Sequence, residues 1–397
     1  MASRQPSKSI PHHHFPWSGL LLLLLMMVFI GSFLRTDSFT SSEAMLSWLI
    51  QPDSGRDLLP RWRETGYPPL YPALLKGWSM LFGSGEYVLR WPTLAVSLLS
   101  VALSFACVRQ ITDAARGTLA MALLGGLSIL LGYGLRADGM AWAVLLAWLA
   151  TWRLLLRVER KSLGRWRRIV WVVLYAGCVG ALLYSHYAGV LVIVAHGVTV
   201  LIVRRRWGLW LGAAAVVMVL WVPWVVWARA GFANTFINQL IGTIPIFLAT
   251  LLVIVVLRGL PGLIRWQRWV YVVWAGVMAA ALILLPRPTD WRGVIARIAR
   301  ERDPFEPIVT DFAPTSVQAY YDRMYGLSRG IAVRLGWQDL TGEELGERLA
   351  PLVNSAAIWI MVKSSQAETW GVIELLQEQR RVTFQSQVED YILMRFE

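Results

Sequence analysis

From Trp17 onward the chain is built of long apolar runs separated by clusters of arginine. Most runs reach the roughly 17–25 residues a helix needs to cross about 30 Å of hydrocarbon, where only a helix satisfies its own backbone in such a sequence. A soluble core could not absorb them. Hydrophobic residues make up 56 % of the chain and mean hydropathy is +0.51, against about 45–50 % apolar residues in ordinary soluble domains.

The first run, 17–34, contains six consecutive leucines, Leu20 to Leu25. No small-residue cleavage pattern follows it closely, so it reads as a retained helix rather than a signal peptide. Further spans are expected at 88–108, 114–133, 139–156, 168–185, 187–203, 208–228, 237–257 and 268–285. The stretch 168–203 is too long for one span and just long enough for two, broken at Tyr184-Ser185-His186-Tyr187. Charge supports the split. With an inner N-terminus, the inner loops collect Arg109 and Arg116, then Arg157, Arg160, Lys161, Arg165, Arg167 and Arg168, then Arg204 to Arg206, then Arg258, Arg265 and Arg268, a consistent positive-inside pattern. The expected fold class is therefore an all-α polytopic membrane protein of about nine transmembrane helices.

The formal net charge of +13 is unevenly placed, with residues 288–397 carrying 12 Lys/Arg against 16 Asp/Glu. The basic excess belongs to the membrane part, where inner-leaflet anchoring accounts for most of it, and nucleic-acid binding is not expected. Many of the 22 Trp residues suit interfacial belts, as at Trp221, Trp224 and Trp227. Cys107 and Cys178 fall in different spans and read as apolar filler.

The expected organisation is a cytoplasmic tail at 1–16, a membrane domain at 17–285 with an outer loop at 35–87, and an outer domain at 286–397. In the loop, 39–50 and 71–82 read as short amphipathic helices able to lie in the interface plane, or as plain structural loop. After Pro286 the pattern predicts helices near 291–302, 314–324, 342–351 and 367–380, and strands near 308–311, 357–362 and 391–395. That alternation describes a small α/β domain.

Polar residues at the outer ends of the spans are the candidates for chemistry. Asp37 and Glu43 follow the first span, Arg136 and Asp138 occupy the connection after the third, and His186 and Tyr187 the turn after the fifth. A carboxylate can take a proton from an attacking hydroxyl, and an arginine fork can neutralise a phosphate leaving group. Asp37 could equally cap a helix or be solvated, and Arg136 could simply pair with Asp138.

The chain resembles a known group in Tyr67-Pro68-Pro69-Leu70-Tyr71-Pro72-Ala73-Leu74-Leu75-Lys76-Gly77-Trp78, continuing through Leu81-Phe82-Gly83 to Glu86-Tyr87-Val88-Leu89-Arg90-Trp91-Pro92. Leu135-Arg136-Ala137-Asp138, Tyr184-Ser185-His186-Tyr187 and Asp290-Trp291-Arg292 follow in matching order. These segments are similar to those of the GT-C glycosyltransferases that use polyprenyl-phosphate sugars, the family-39-like group of protein O-mannosyltransferases, lipid A aminoarabinose transferases and Rgt-like membrane transferases. The resemblance covers about residues 17–300 and implies transfer of a sugar from a lipid-linked donor to an acceptor hydroxyl at the outer face, with inversion. It implies Asp37 or Glu43 as the base, and Arg136 against the lipid phosphate. Asp138, His186, Tyr187, Tyr67, Lys76 and Arg90 complete the expected binding set. Two departures stand out: the family's Asp-Glu pair reads Ser42-Glu43 here, and Tyr67 replaces a histidine. The sequence indicates no firm cofactor and leaves metal dependence open, since arginine or a divalent cation could serve as counter-ion. Expected partners are membrane lipids, the lipid-linked sugar, a glycan, lipid or protein acceptor, and a larger membrane complex; the expected site is a bacterial inner membrane. The competing readings are a non-catalytic scaffold derived from the same fold and, with less support, a transporter.

Overall fold

The computed structural model describes residues 17–33, 39–50, 58–130, 136–159, 164–203, 207–259, 291–302, 306–310, 332–334, 352, 355–363, 373–374, 376–388 and 391–397. The protein is a helical membrane protein with several apolar helices and a small C-terminal sheet. Helices α1 (Trp17–Phe33), α5 (Glu86–Ile111), α6 (Ala114–Leu130), α7 (Gly139–Glu159), α8 (Arg165–Ser185), α9 (Gly189–Val203), α10 (Trp207–Trp227) and α11 (Arg229–Gly259) fall on the first eight expected spans. The ninth, 268–285, lies outside the described residues. Four segments, Glu86–Gln110, Gly139–Leu156, Arg165–Ser185 and Trp207–Trp227, are long and apolar enough to cross a membrane by length and composition. Their outward faces are apolar, with Leu99, Val173, Val219 and Val226 exposed. In water such a surface would drive aggregation, whereas lipid solvates it.

The stretch 168–203 forms two helices, α8 and α9, joined at His186 to Ala188. The expected loop between the seventh and eighth spans is absent: α11 begins at Arg229, with Ala228 alone between it and the end of α10. Its first turns dock on the outer loop. Gly66, at φ +59°, lies so close that a Cβ there would meet the Gly231 carbonyl carbon and Phe232 nitrogen at 2.4 Å, and Thr235 Oγ1 donates to the Thr65 carbonyl at 2.6 Å. Close glycine contacts recur inside the bundle, Gly125 against Met26 of α1 and Gly197 against the Trp210 ring, the small-residue packing that membrane helices use.

Polar side chains within the bundle are tied to one another. Thr151 Oγ1 donates to the Ala147 carbonyl, so the 3.0 Å contact to His196 Nε2 needs the proton on that nitrogen. His196 Nδ1 then accepts from Tyr175 Oη at 2.9 Å, and Tyr175 accepts from Trp210 Nε1 at 3.1 Å. One neutral imidazole thereby links α7, α8, α9 and α10.

The outer loop contains α2 (Ser41–Ile50), α4 (Leu70–Phe82) and a helix not anticipated from sequence, α3 (Leu58–Thr65). Helix α2 is not an interfacial helix. Glu43, Ala44, Leu46, Ser47, Leu49 and Ile50 are all buried. Helix α4 is closer to expectation, leaving Leu74, Met80, Leu81 and Phe82 exposed. Its Trp78 Nε1 donates to the Val88 carbonyl at 2.8 Å. That carbonyl would otherwise lack a helical partner, because Pro92 inside α5 has no N–H.

The C-terminal region opens with α12 (Trp291–Glu301) and contains β1 (Ile308–Thr310), β2 (Ala332–Arg334), β3 (Ile358–Lys363), β4 (Val382–Val388) and β5 (Tyr391–Phe396). The sheet order is β2-β1-β3-β5-β4, parallel across β2-β1-β3 and antiparallel across β3-β5-β4. Strands β2 and β4 were not expected. Residues 381–387 alternate exposed and half-buried positions on a polar edge strand, a pattern weaker than a buried strand's apolar run. The helices expected at 314–324 and 342–351 lie outside the described residues, and within 367–380 helix is described at 373–374 and 376–379.

Period-two alternation gives the sheet two buried faces. Val309, Ile358, Ile360, Ile392 and Met394 face Leu352, Ile373 and Leu376. Ile308, Trp359, Met361 and Leu393 face the other way, into a cluster with Ile295 and Ile298 of α12, Leu46 and Leu49 of α2, Tyr71 of α4, Leu89 of α5 and Ala137. The sheet therefore packs directly over the outer loop and the first turn of α5.

Candidate functional site

Glu43 organises the centre of this end of the bundle. Thr40-Ser41-Ser42-Glu43 is a capping box: Glu43 N donates to Thr40 Oγ1 at 3.5 Å, and Thr40 N donates to Glu43 Oε2 at 2.9 Å, each group satisfying an orphan donor at the start of α2. The same carboxylate accepts from Arg90 Nε at 2.7 Å on Oε1 and Arg90 Nη2 at 2.9 Å on Oε2. Ala137 N donates to Oε1 at 2.8 Å, and Thr40 Oγ1 to Oε2 at 3.1 Å. Both partners of the ion pair are buried, with side chains 2 % exposed for Arg90 and 0 % for Glu43. A carboxylate so surrounded has its lone pairs occupied and no approach for an attacking hydroxyl. Arg90, with its fork on Glu43 and its guanidinium 5.4 Å from the Phe39 ring centroid, is likewise turned inward rather than toward a phosphate.

The peptide held by Glu43 belongs to the connection into α7. On one side of Ala137, Arg136 is exposed and makes no hydrogen bond or ion pair among the described residues. On the other, Asp138 is half-buried and caps α7, accepting from Met140 N at 3.0 Å. Burial pushes its carboxyl above the ordinary aspartate range, and the Glu43 charge adds to this. The Met140 hydrogen bond and the Arg136 charge act in the opposite sense. Next comes Gly139, where a Cβ would meet the Ser185 carbonyl at 3.1 Å, Tyr71 Cδ1 at 3.3 Å and Tyr67 Oη at 3.4 Å. Only glycine lets the connection approach both tyrosines and the 184–187 turn so closely.

Tyr67 is buried, and that burial together with the Asp138 charge raises its phenol well above the usual value, so it stays protonated and presents its O–H beside the connection. Tyr71 hydrogen-bonds Thr93 Oγ1 at 3.3 Å. Tyr187 fastens the turn to the outer loop: its hydroxyl donates to the Gly66 carbonyl at 2.6 Å and accepts from Trp224 Nε1 at 2.9 Å. Its backbone N–H donates to Gln239 Oε1 at 2.9 Å. His186 is 4 % exposed, and burial lowers its pKa to about 4. It is neutral at pH 7, and its Nδ1 accepts from Ala188 N at 3.3 Å. It therefore shapes the turn and brings no positive charge to a phosphate.

Of the residues expected at the site, Glu43, Arg90, Arg136, Asp138, Tyr67, His186 and Tyr187 come together through these contacts. Lys76 does not join them: it is half-buried on α4, and its side chain makes no hydrogen bond or ion pair among the described residues. Asp37 lies outside the described residues. Among those described, no group of three or more His, Cys, Asp or Glu side chains is arranged to hold a metal ion. Two residues at this end had no place in the expected site. Glu86 is buried at the first turn of α5 and is ion-paired with Arg292 of α12. The Thr40-x-x-Glu43 spacing was a readable sign that Glu43 serves the helix start; the pairing of Glu86 with a residue 206 positions away had no local sign.

Residues 67–227 match a protein family described as dolichyl-phosphate-mannose-protein mannosyltransferase. Those residues include Tyr67, Arg90, the Arg136–Asp138 connection and the His186 turn. Two solved structures share the fold: ArnT from Cupriavidus metallidurans in the apo state, with a TM-score of 0.55, and the same protein bound to undecaprenyl phosphate, with a TM-score of 0.53. Each is 13 % identical, with 95 % of this chain and 97 % of that chain covered. No curated protein matches the chain significantly in sequence.

Proposed function

We propose that this protein, whose residues 67–227 match the dolichyl-phosphate-mannose-protein mannosyltransferase family, is a membrane glycosyltransferase that moves a sugar from a polyprenyl-phosphate donor to an acceptor hydroxyl at the outer face of the membrane. The observation that carries the reading is the pairing of an exposed Arg136 with a half-buried Asp138 on one connection, held in place by Glu43. An exposed arginine with no hydrogen bond or ion pair among the described residues can receive a phosphate, and a carboxylate raised by burial is a stronger base than an exposed one.

In this scheme Asp138 takes the proton from the acceptor hydroxyl as its oxygen bonds to the anomeric carbon. The bond from that carbon to the phosphate oxygen breaks, and the electron pair leaves on the lipid phosphate beside Arg136. Attack opposite the leaving group inverts the anomeric centre. Tyr67, protonated and next to Asp138, orients the sugar or acceptor by hydrogen bonding. Asp37 of the first loop is the alternative base, and Glu43 and Arg90 position the site without touching substrate. The membrane placement follows: nine crossings, the N-terminal tail in the cytoplasm of a bacterial cell, and the C-terminal domain on the outer side of the inner membrane.

Binding of undecaprenyl phosphate to the protein in lipid nanodiscs tests the phosphate site. Arg136→Ala should weaken binding about tenfold or more, as expected for loss of a charged hydrogen-bonding partner. Lys76→Ala should leave it within about twofold. Equal affinity for wild type and Arg136→Ala would remove Arg136 from the site.

A further inference from the structure

The first turn of α5 carries two buried charges four residues apart, Glu86 and Arg90, which share one helix face. They point to different partners. Arg90 holds Glu43, and through it the Ala137 amide of the Arg136–Asp138 connection. Glu86 holds Arg292, in the first turn of α12, where the C-terminal region begins. Apolar packing repeats the link. Ile295 and Ile298 lie along α12 from Arg292, Leu89 lies beside Arg90, and all three share one cluster with Phe39 and Ala137.

We infer that Glu86 and Arg292 are positioning residues, which tie the C-terminal domain to the α5 turn and so hold Arg136 and Asp138 in register for the transfer. The inference rests on the function proposed above only for the meaning of that register; the mechanical link stands on the geometry alone. Loss of the Glu86–Arg292 pair frees the start of α5 one helical turn before Arg90. Arg90 and Glu43 then hold the Ala137 amide less firmly, although neither is altered. The C-terminal domain thus acts on the site without contributing a group to it.

Hydrogen exchange of the full-length protein in nanodiscs reads the link directly, because the Ala137 amide is itself bonded to Glu43. In Arg292→Ala the peptide containing Ala137 should exchange about tenfold faster than in wild type. The charge exchange Glu86→Arg with Arg292→Glu should bring it back to within about twofold. Arg300→Ala, which alters an exposed arginine whose hydrogen bond among the described residues is to the Ala296 carbonyl of its own helix, should leave the rate unchanged. Arg292→Lys, which keeps the charge but not the fork, should give an intermediate rate and guards against a general loss of folding. Unchanged exchange at Ala137 in Arg292→Ala would overturn the inference, as would faster exchange spread equally over β3 and β5. Failure of the glycosyltransferase reading would show differently, as a protein that binds no polyprenyl phosphate in any of these forms while the exchange pattern persists.

Discussion

Arg90 closes on Glu43 with two hydrogen bonds, Nε to Oε1 at 2.7 Å and Nη2 to Oε2 at 2.9 Å, across 47 residues of sequence and out of contact with solvent. The pair joins the start of α2, the first turns of α5 and the entry to α7, three segments that also share one apolar cluster through Leu46, Leu89 and Ala137. Removing one partner strands the other charge in a buried site. Arg90→Ala or Glu43→Ala should therefore cost about 3–5 kcal/mol, read as a drop in thermal unfolding temperature. Replacing both with apolar residues should cost less than either single change. A Glu43→Gln protein that unfolds like wild type yet transfers no sugar would instead make Glu43 the base.

Gly66 and Gly231 form a backbone contact that admits no side chain. A Cβ at Gly231 would lie 2.1 Å from the Glu64 carbonyl oxygen, and Gly66 also holds a positive φ of 59°. Gly66→Ala and Gly231→Ala should each destabilise by at least about 2 kcal/mol, because backbone cannot yield as a flexible side chain does. Gly77→Ala, with open space around it, is the control and should be neutral or slightly stabilising in its helix.

His186 makes stability sensitive to mild acid. Burial holds its folded pKa near 4 against an ordinary value of 6.5. Between these values the unfolded chain binds a proton that the folded chain does not, so stability falls as pH drops from 6.5 toward 4 and levels off below. The loss attributable to this group over the whole window is about 3 kcal/mol. His186→Gln should remove that part of the acid dependence in thermal melts taken between pH 7 and pH 4.5.

With Asp138 as the proposed base, the acid limb of transfer activity should follow its carboxyl. A base must be deprotonated, and burial raises this carboxyl, so activity should rise with pH through a midpoint above that of an exposed aspartate. Because the Arg136 charge lowers the same pKa, Arg136→Ala should move the limb to higher pH as well as weaken donor binding. A rate profile of Arg136→Ala with an unmoved acid limb would break the connection between the two residues.

Much of this architecture was readable from local pattern. The split of 168–203 followed from where Arg204 to Arg206 had to lie, and the structure places the break at His186 to Ala188 as the polar Tyr184–Tyr187 run suggested. The meeting of the first loop, the Arg136 connection and the His186 turn was expected from their proposed placement on one side of the membrane. Local pattern was silent where partners lie far away in sequence. Arg90 read as part of the binding set because nothing near it reveals Glu43. Residues 229–236 read as loop because their polar side chains give no hint that Gly231 and Thr235 dock on Thr65 and Gly66. Strand β4 escaped because Thr383, Gln385 and Gln387 are exposed on an edge strand, which weakens the apolar signal that marks β3.

The account stands most directly on the fate of the sugar. Mass spectrometry of lipid-linked sugars and surface glycans should be compared in cells lacking the gene and in cells restored with wild type, Asp138→Asn or Asp37→Asn at equal expression. The account predicts that deletion raises a polyprenyl-phosphate sugar and removes a glycan modification, that wild type reverses both, and that Asp138→Asn behaves as the deletion. Full restoration by Asp138→Asn with none by Asp37→Asn would move the base to the first loop. A profile unchanged by deletion would contradict the transferase account and leave a membrane scaffold in its place.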